Sequence, residues 1–416
     1  MVGLVDCNNF FVSCERSIDP SLDGVPMVVL SNNDGCVIAR SNESKKMGVK
    51  MGQPAFEIRE LIDSGKLIAY SGNHLLYREK SLKVHDIFRR FVPAAIDYSV
   101  DESFLDVKGI PIEVLQEIGE AIVDACWEEE RIPVTIGFAP TKTLAKITTE
   151  IGKKQGDNVI VKPYTEDFHK VLDKMPIWEL WGMGRRLSKR MYSAGVITIG
   201  DFRQKSLAWI RKELGVTGER SWMELNGTPC IELEHVGRKF QDSISETRTF
   251  PEDVNDFDYL RARIAIYCSH ICRRLRSMKC ECGEMVLFLR TNRFHTERGY
   301  LAPQIVVKFD PPIDDTSVIT TAAIDALGKI YNPNLAYKRA GVTLCKIVKR
   351  QDIIPSLFDD IQSENNRLEK SRKLMSAIDK LNSNIGCEQL RMAAEITKSD
   401  QGHNDGYSSS FVTPKQ

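Results

Sequence analysis

The sequence predicts an α+β fold in two parts, with a smaller α+β domain following a larger N-terminal one. Three observations carry this prediction. Short apolar runs, Val2-Gly3-Leu4-Val5 and the alternating Ile96, Tyr98 and Val100, read as strands that end on acidic residues, Asp6 and Asp101-Glu102. Up to Ile151 the order of elements is strand, helix-containing insertion, strand hairpin, helix, strand, helix. At 416 residues the chain also exceeds one ordinary core, and two to four domains are expected.

Composition narrows the class without choosing a partner. A hydrophobic fraction of 42% and a charged fraction of 27% are those of a globular protein. Lys+Arg 57 balances Asp+Glu 57, so a surface for nucleic acid has to be local. The N-terminus carries Asp6, Asn8 and Asn9 where a signal peptide needs an apolar core, and no apolar run is long enough for a bilayer. Eleven cysteines, an odd number, read as reduced intracellular thiols. Cys280-Glu281-Cys282 is too tight for a zinc knuckle, and Cys268 and Cys272 read as core.

Taken in order, the strand ending at Asp6 leads into a helix that Asn8 or Asn9 is placed to cap. Phe10 reads as core, whereas Phe11, behind an acidic residue, is placed to floor a sugar pocket. Pro26–Leu30 and Cys36–Arg40 read as a hairpin about Asn33-Asp34-Gly35, followed by a short helix from Ser41 that stops at Gly48. Ile58 to Val92 reads as largely helical, with Tyr77, Leu82, Ile87 and Phe91 apolar. The segment about Asp101 reads as strand, tight turn, strand. Adjacent carboxylates there are costly to leave unpaired, and a divalent cation answers that cost as well as solvent does. In a regular strand Asp101 and Glu102 would point to opposite faces, so they share a site only where the backbone turns.

A helix at 112–130 and a strand at Val134–Phe138 follow, then a helix with Thr141 near its start. Leu144, Ile147 and Ile151 share one face of that helix, and Lys142, Lys146 and Lys153 share another. Beside a carboxylate site these lysines suit a polyphosphate substrate; the alternative is a solvated face. Trp181-Gly182-Met183-Gly184-Arg185-Arg186-Leu187, with Ala194-Gly195-Val196 beyond it, has the spacing of a helix-hairpin-helix that binds a nucleic-acid backbone. Residues 229–245 read as a connector. The helix after it carries Arg261, Arg263, Arg273, Arg274, Arg276 and Lys279 with no acidic residue between Tyr259 and Cys280, six unpaired cations that point to a polyanion. Strands at 284–290, 303–309 and 340–348 and a helix at 317–331 complete the second domain. Ile354–Asp360 has the form of a docking peptide, a helix with Leu368, Leu374, Ile378 and Leu381 follows, and residues from Lys398 read as disordered.

These segments together resemble the Y-family of DNA polymerases, and within it the UmuC branch. The resemblance rests on Asp6–Glu15 with its Phe-Phe pair, Ser31–Arg40, Gly48–Gly52, Tyr98–Glu102, Thr141–Lys146 and Trp181–Arg186, in one order between Met1 and about Glu395. It implies a right-hand polymerase: palm over 1–165 with fingers inserted at about 12–75, a helix-hairpin-helix thumb over 166–235, a little finger over 240–350, and a docking peptide and tail over 351–416. The implied activity is error-prone, template-directed translesion synthesis in an SOS-type damage response, by nucleotidyl transfer with two Mg²⁺ ions.

The resemblance also implies roles for individual residues. Asp6, Asp101 and Glu102 are the catalytic carboxylates and metal ligands, joined by the carbonyl of Cys7. Phe11 is the steric gate against a 2′-hydroxyl, and Asn42, Lys45 and Lys153 hold the dNTP triphosphate. Lys45 stands where other branches carry Arg, which replaces a bidentate fork by a point charge. Gly182, Gly184, Arg185, Arg186, Arg273 and Arg274 contact primer-template DNA, and Leu357 and Phe358 a sliding clamp. A UmuD′-like accessory subunit and a recombinase filament are implied partners, the bacterial nucleoid the implied location, and no membrane. Two other readings compete. A catalytically inactive relative conflicts with the intact trio and lysines, and a nucleotide cyclase, which also uses two metals, needs neither the hairpin nor the basic helix.

Overall fold

The computed structural model describes residues 1–31, 35–232, 241–294, 299–352, 361–384 and 390–396, with backbone only over 361–369 and 383–384. Two compact units divide between residues 238 and 239. The first is built on a five-stranded sheet in the order β5-β6-β1-β7-β8. Its strands are β1 (Val2–Cys7), β5 (Ala94–Asp97), β6 (Glu102–Asp106), β7 (Val134–Ala139) and β8 (Val159–Val161). Between β1 and β5 lie α1 (Phe10–Ile18), β2 (Met27–Leu30), β3 (Val37–Arg40), α2 (Asn42–Lys46), α3 (Arg59–Asp63), β4 (Ile68–Ser71) and α4 (His74–Phe91). Here β2 pairs antiparallel with β3 and parallel with β4, which makes a second, three-stranded sheet.

The central strands β1 and β7 are buried along their whole length, so they read as continuous apolar runs. Helices α5 (Leu115–Glu130) and α6 (Lys142–Gln155) pack on this sheet. The fit of α6 is close: a Cβ on Gly137 would lie 2.4 Å from the backbone nitrogen of Thr149 and 2.8 Å from the carbonyl of Ala145. Helices α7 (Glu166–Lys174), α8 (Arg185–Ser193), α9 (Ile199–Arg203) and α10 (Leu207–Leu225), the last broken at Gly215, follow and bury Phe168, Ile177, Met191 and Phe202 in one core with Val2, Leu4 and Phe104 of the sheet and Leu144 and Ile147 of α6. Glu224 of α10 is fully buried, and its carboxylate accepts from Thr143 N at 2.8 Å at the start of α6, where the helix dipole favours an anion.

The second unit has the sheet order β11-β10-β12-β9 with helices packed on it. Its elements are β9 (Ser243–Val254), α11 (Phe257–Ser277), β10 (Cys280–Thr291), β11 (Gln304–Ile313), α12 (Thr316–Ile330), β12 (Tyr337–Lys349) and α13 (Ile361–Asn384). Among the described residues no helix is long and apolar enough to cross a membrane.

Six expectations need correction. The stretch 58–92 is not one helix: Gly65 takes a positive φ of 71°, and Ile68–Ser71 then pairs with β2 before Asn73 caps α4. Leu82 on α4 is exposed. The strand before Asp101 stops at Asp97, because Tyr98 N and Ser99 N both turn to the carbonyl of Glu102. The connector ends early, since β9 already begins at Ser243, and on α13 the buried side chain is Met375, with Leu374 and Leu381 exposed. Neither Asn8 nor Asn9 caps α1 by a side chain. The Asn33-Asp34 turn, the docking peptide and the tail lie outside the described residues.

Gly137→Ala should destabilise the first unit by about 1–3 kcal/mol, because the neighbour that must yield is backbone. Urea unfolding followed on tryptophan reads this unit alone, since Trp127, Trp178, Trp181, Trp209 and Trp222 all lie in it. An unchanged midpoint would contradict the close packing of α6.

Candidate active site

The antiparallel register of β1 on β6 sets Asp6 directly opposite Glu102. Directly paired residues project from the same face, so the two carboxylates share one end of the sheet. Asp101 belongs to the turn before β6, so strand alternation does not direct its side chain away. Its carbonyl accepts from Cys7 N at 2.9 Å, and its carboxylate accepts from Ser99 Oγ at 2.5 Å. The thiol of Cys7 is buried and its pKa is raised by that burial, so this residue can serve the site only through its backbone.

Two lysines of α6 lie on these carboxylates. Lys153 Nζ is 2.6 Å from Asp6 and 3.0 Å from Glu150, and Lys146 Nζ is 2.5 Å from Glu102. The lysine face is therefore turned to the site. Among the described residues no three His, Cys, Asp or Glu side chains are grouped so as to hold a metal ion as they stand, and ammonium groups supply the positive charge instead. Burial raises the Asp6 carboxyl to about 7; Lys153 opposes the shift, and the charges of Glu102 and Asp101 add to it. Burial works against charge on Lys153, but Asp6 and Glu150 outweigh it and raise its pKa. Lys142 is drawn into the protein, where it donates to the carbonyl of Glu232 at 2.5 Å and lies over the ring of Phe104.

A polar cluster adjoins Asp6. Lys45 Nζ donates to Asn9 at 2.6 Å and to Asn42 at 3.3 Å, and Asn9 donates to Asn42 at 3.1 Å. Burial, then Arg40 and Lys153, lower the Lys45 pKa, as cations gathered round one point do. Lys146, expected on the lysine face, pairs with Glu102, and Asn9 belongs to this site although the sequence reading gave it only a capping role. The available signal was an Asn directly after the acidic strand. Phe10 is core, as expected, and Phe11 is half-buried with its ring stacked on Tyr77.

The Gly-Met-Gly turn is anchored beside the Asp101 hairpin, where Trp181 Nε1 donates to the Tyr98 hydroxyl at 3.1 Å and Lys146 lies over both rings. Gly182 takes a positive φ of 83°, Gly184 precedes α8 without a side-chain cap, and Arg185 and Arg186 open that helix exposed. In the second unit most of the six basic residues have partners, and Arg263 lies over the ring of Tyr259. Arg276 makes a two-pronged bond to Asp379, Arg273 lies 3.9 Å from the same carboxylate, Arg261 pairs with Asp258, and Arg274 donates to Gln241. Their partners come from other elements or, for Arg261, from Asp258 at the start of α11. The open sheet face carries Ser245–Thr343–Val286, Thr247–Gly341–Phe288 and Thr249–Arg339–Arg290 as cross-strand rows. Leu357 and Phe358 lie outside the described residues.

Residues 5–150 match the impB/mucB/samB family, and residues 241–356 match that family's C-terminal domain. Protein ImpB of Salmonella typhimurium is 34% identical over 92% of this chain and 90% of its own length. Protein UmuC of Salmonella typhimurium is 34% identical over 95% and 93%, and DNA polymerase IV of Bacillus velezensis 27% identical over 95% and 93%. Among solved structures, a chimeric Y-family DNA polymerase, Dbh-Dpo4-Dbh, matches with a TM-score of 0.66 and 24% identity, covering 83% of this chain and 99% of that one. An insertion ternary complex of Dbh DNA polymerase matches over the same shares with a TM-score of 0.52 and 22% identity. The α+β fold is that of the matched Y-family polymerase structures, and the chain belongs to the impB/mucB/samB family.

Proposed function

We propose that this chain is an error-prone, template-directed DNA polymerase that copies past lesions in an SOS-type damage response, adding dNTPs to a primer 3′-hydroxyl. The observation that carries this reading is the pairing of Asp6 with Glu102 beside Asp101, next to the cluster of Asn9, Asn42, Lys45 and Lys153. Relatives named DNA polymerase IV and UmuC support the same reading.

The donor set fits divalent cations. Hard carboxylate oxygens face one another at a sheet end, and one of them is too buried to keep its charge easily without a counter-cation. Asp6, Asp101, Glu102 and the carbonyl of Cys7 would hold them, and we assign two Mg²⁺. Bound there, the cations supply activation of the 3′-hydroxyl and charge neutralisation at the leaving pyrophosphate. Lys45, Lys153 and Asn42 bind and orient the triphosphate, which requires Lys153 to exchange Asp6 for phosphate oxygens. Phe11 excludes a 2′-hydroxyl by its ring.

In family terms the five-stranded sheet is the palm, the β2–β4 sheet with α2 and α3 the fingers, α7–α10 the thumb and the second unit the little finger. Gly182, Gly184, Arg185 and Arg186 grip the DNA backbone through open amides and cations. In the little finger the open sheet face with Arg290 and Arg339 suits DNA better than Arg273, which faces Asp379; Arg274, on the helix side of the sheet, is held by a neutral partner that it can release to a phosphate. A sliding clamp reading Leu357 and Phe358, a UmuD′-like subunit and a recombinase filament are the partners this function calls for, at the bacterial nucleoid.

Primer extension with Mg²⁺ on an undamaged template and on one with a single abasic site tests the function. The wild-type chain should extend past the lesion. Asp101→Ala should lose at least about 10³-fold, as several kcal/mol of lost charge stabilisation gives, with primer-template affinity retained. Extension by the variant would remove Asp101 from the site. Mn²⁺ titration read by electron paramagnetic resonance tests the metal. Because Asp6 titrates at about 7, a proton must leave before a cation binds, so affinity should fall about tenfold per unit below pH 7 and level off above it. In Asp6→Asn the affinity should be lower and flat with pH; a flat profile in the wild type would contradict the assignment.

A further inference from the structure

Phe11 does not stand alone. Its ring lies flat on Tyr77, with centroids 4.4 Å apart and planes 14° apart. His74 meets both rings edge-on, at 5.9 Å from Phe11 and 5.8 Å from Tyr77. Tyr77 is 1% exposed, and its hydroxyl donates to Glu15 at 2.6 Å across 62 positions of sequence. Glu15 is 2% exposed. Burial raises its pKa while the Tyr77 bond lowers it, so the phenol is the group that makes a carboxyl tolerable there.

This arrangement is costly unless it has a use. A Phe at position 77 would fill the same space with no polar group to satisfy, and an apolar residue at position 15 would remove the buried carboxyl. The pair instead pins the far end of Tyr77, so the ring cannot slide along Phe11, while the close packing of a 1% exposed ring holds its plane. A ring that stacks on it inherits that plane. A steric gate discriminates by tenths of an ångström, so a fixed backing surface matters more to it than to an ordinary core contact.

We propose that Tyr77, tethered by Glu15, is a positioning residue for sugar selection: it holds the ring of Phe11 where a 2′-hydroxyl must collide with it. This rests on the reading of Phe11 as the gate. Tyr77 touches neither the reacting atoms nor the metal ligands, and it acts through Phe11.

The test compares wild type with Phe11→Ala, Tyr77→Leu, Tyr77→Phe, Glu15→Gln and the double variant Phe11→Ala/Tyr77→Leu. For each, kcat/KM for dNTP and rNTP is measured on one primer-template, and nucleotide dissociation constants are measured on a dideoxy-terminated primer, which needs no turnover. Tyr77→Leu should lower dNTP-over-rNTP selectivity at least tenfold while dNTP kcat/KM stays within about threefold. Tyr77→Phe should lose a smaller share of the selectivity, and Glu15→Gln, which still accepts from the phenol, should retain it. In the double variant selectivity should be no lower than in Phe11→Ala, because both changes act through one ring. If Phe11→Ala relaxes selectivity but Tyr77→Leu and Tyr77→Phe do not, the positioning role is overturned and the gate stands. Additive losses in the double variant also overturn it. If Phe11→Ala itself leaves selectivity unchanged, the gate fails and the positioning role fails with it.

Discussion

Asp6 faces Glu102 because β1 is locked between β6 and β7, and a slip of one residue would turn every side chain of β1 to the other face of a sheet buried on both. The apolar residues Val2–Val5 and Phe104–Leu105 thus fix the position of charges they do not carry. Gly137 lets α6 come within contact distance of β7, which brings Lys146 and Lys153 over the same end of the sheet. The carboxylates and the cations that answer them are set by one packing arrangement.

The charges at this site are poised to be exchanged. Asp6 is buried deeply enough to be hard to ionise, and Lys153 partly offsets that cost from a helix whose other face is core. Under the proposed function a lysine paired with a carboxylate transfers to a phosphate when the carboxylate takes a metal, so the resting ion pairs would supply the substrate contacts. Trp181 adds a mechanical link, since it joins the Gly-Met-Gly turn to the Asp101 hairpin through Tyr98.

The strands about the site were legible because burial on both faces leaves apolar runs that end abruptly at acidic residues. Thr141 was legible as a helix start because a hydroxyl three residues before an amide is a local signal, and it accepts from Leu144 N. What was not legible depends on distant partners. Ile68–Ser71 becomes a strand only by pairing with β2, and within an apolar-rich stretch four residues carry no period of their own. The first residues of β9, Ser243 and Ser245, are exposed and polar about a single buried Ile244, so this end of the strand reads as connector. Arg276 looks unpaired within its helix because its carboxylate lies 103 positions away at Asp379. The stack of Phe11 on Tyr77 joins two helices across an inserted sheet, and no local pattern announces it.

The central claim is that Asp6 and Glu102 exchange lysines for divalent cations when substrate binds. A crystal structure of the chain with primer-template, dNTP and Mn²⁺, with the metal placed by its anomalous signal, tests this directly. The account predicts Mn²⁺ against Asp6, Asp101 and Glu102, with Lys153 moved from Asp6 to the triphosphate. Mn²⁺ bound elsewhere, with Lys153 and Lys146 still on their carboxylates in the presence of nucleotide, would contradict it.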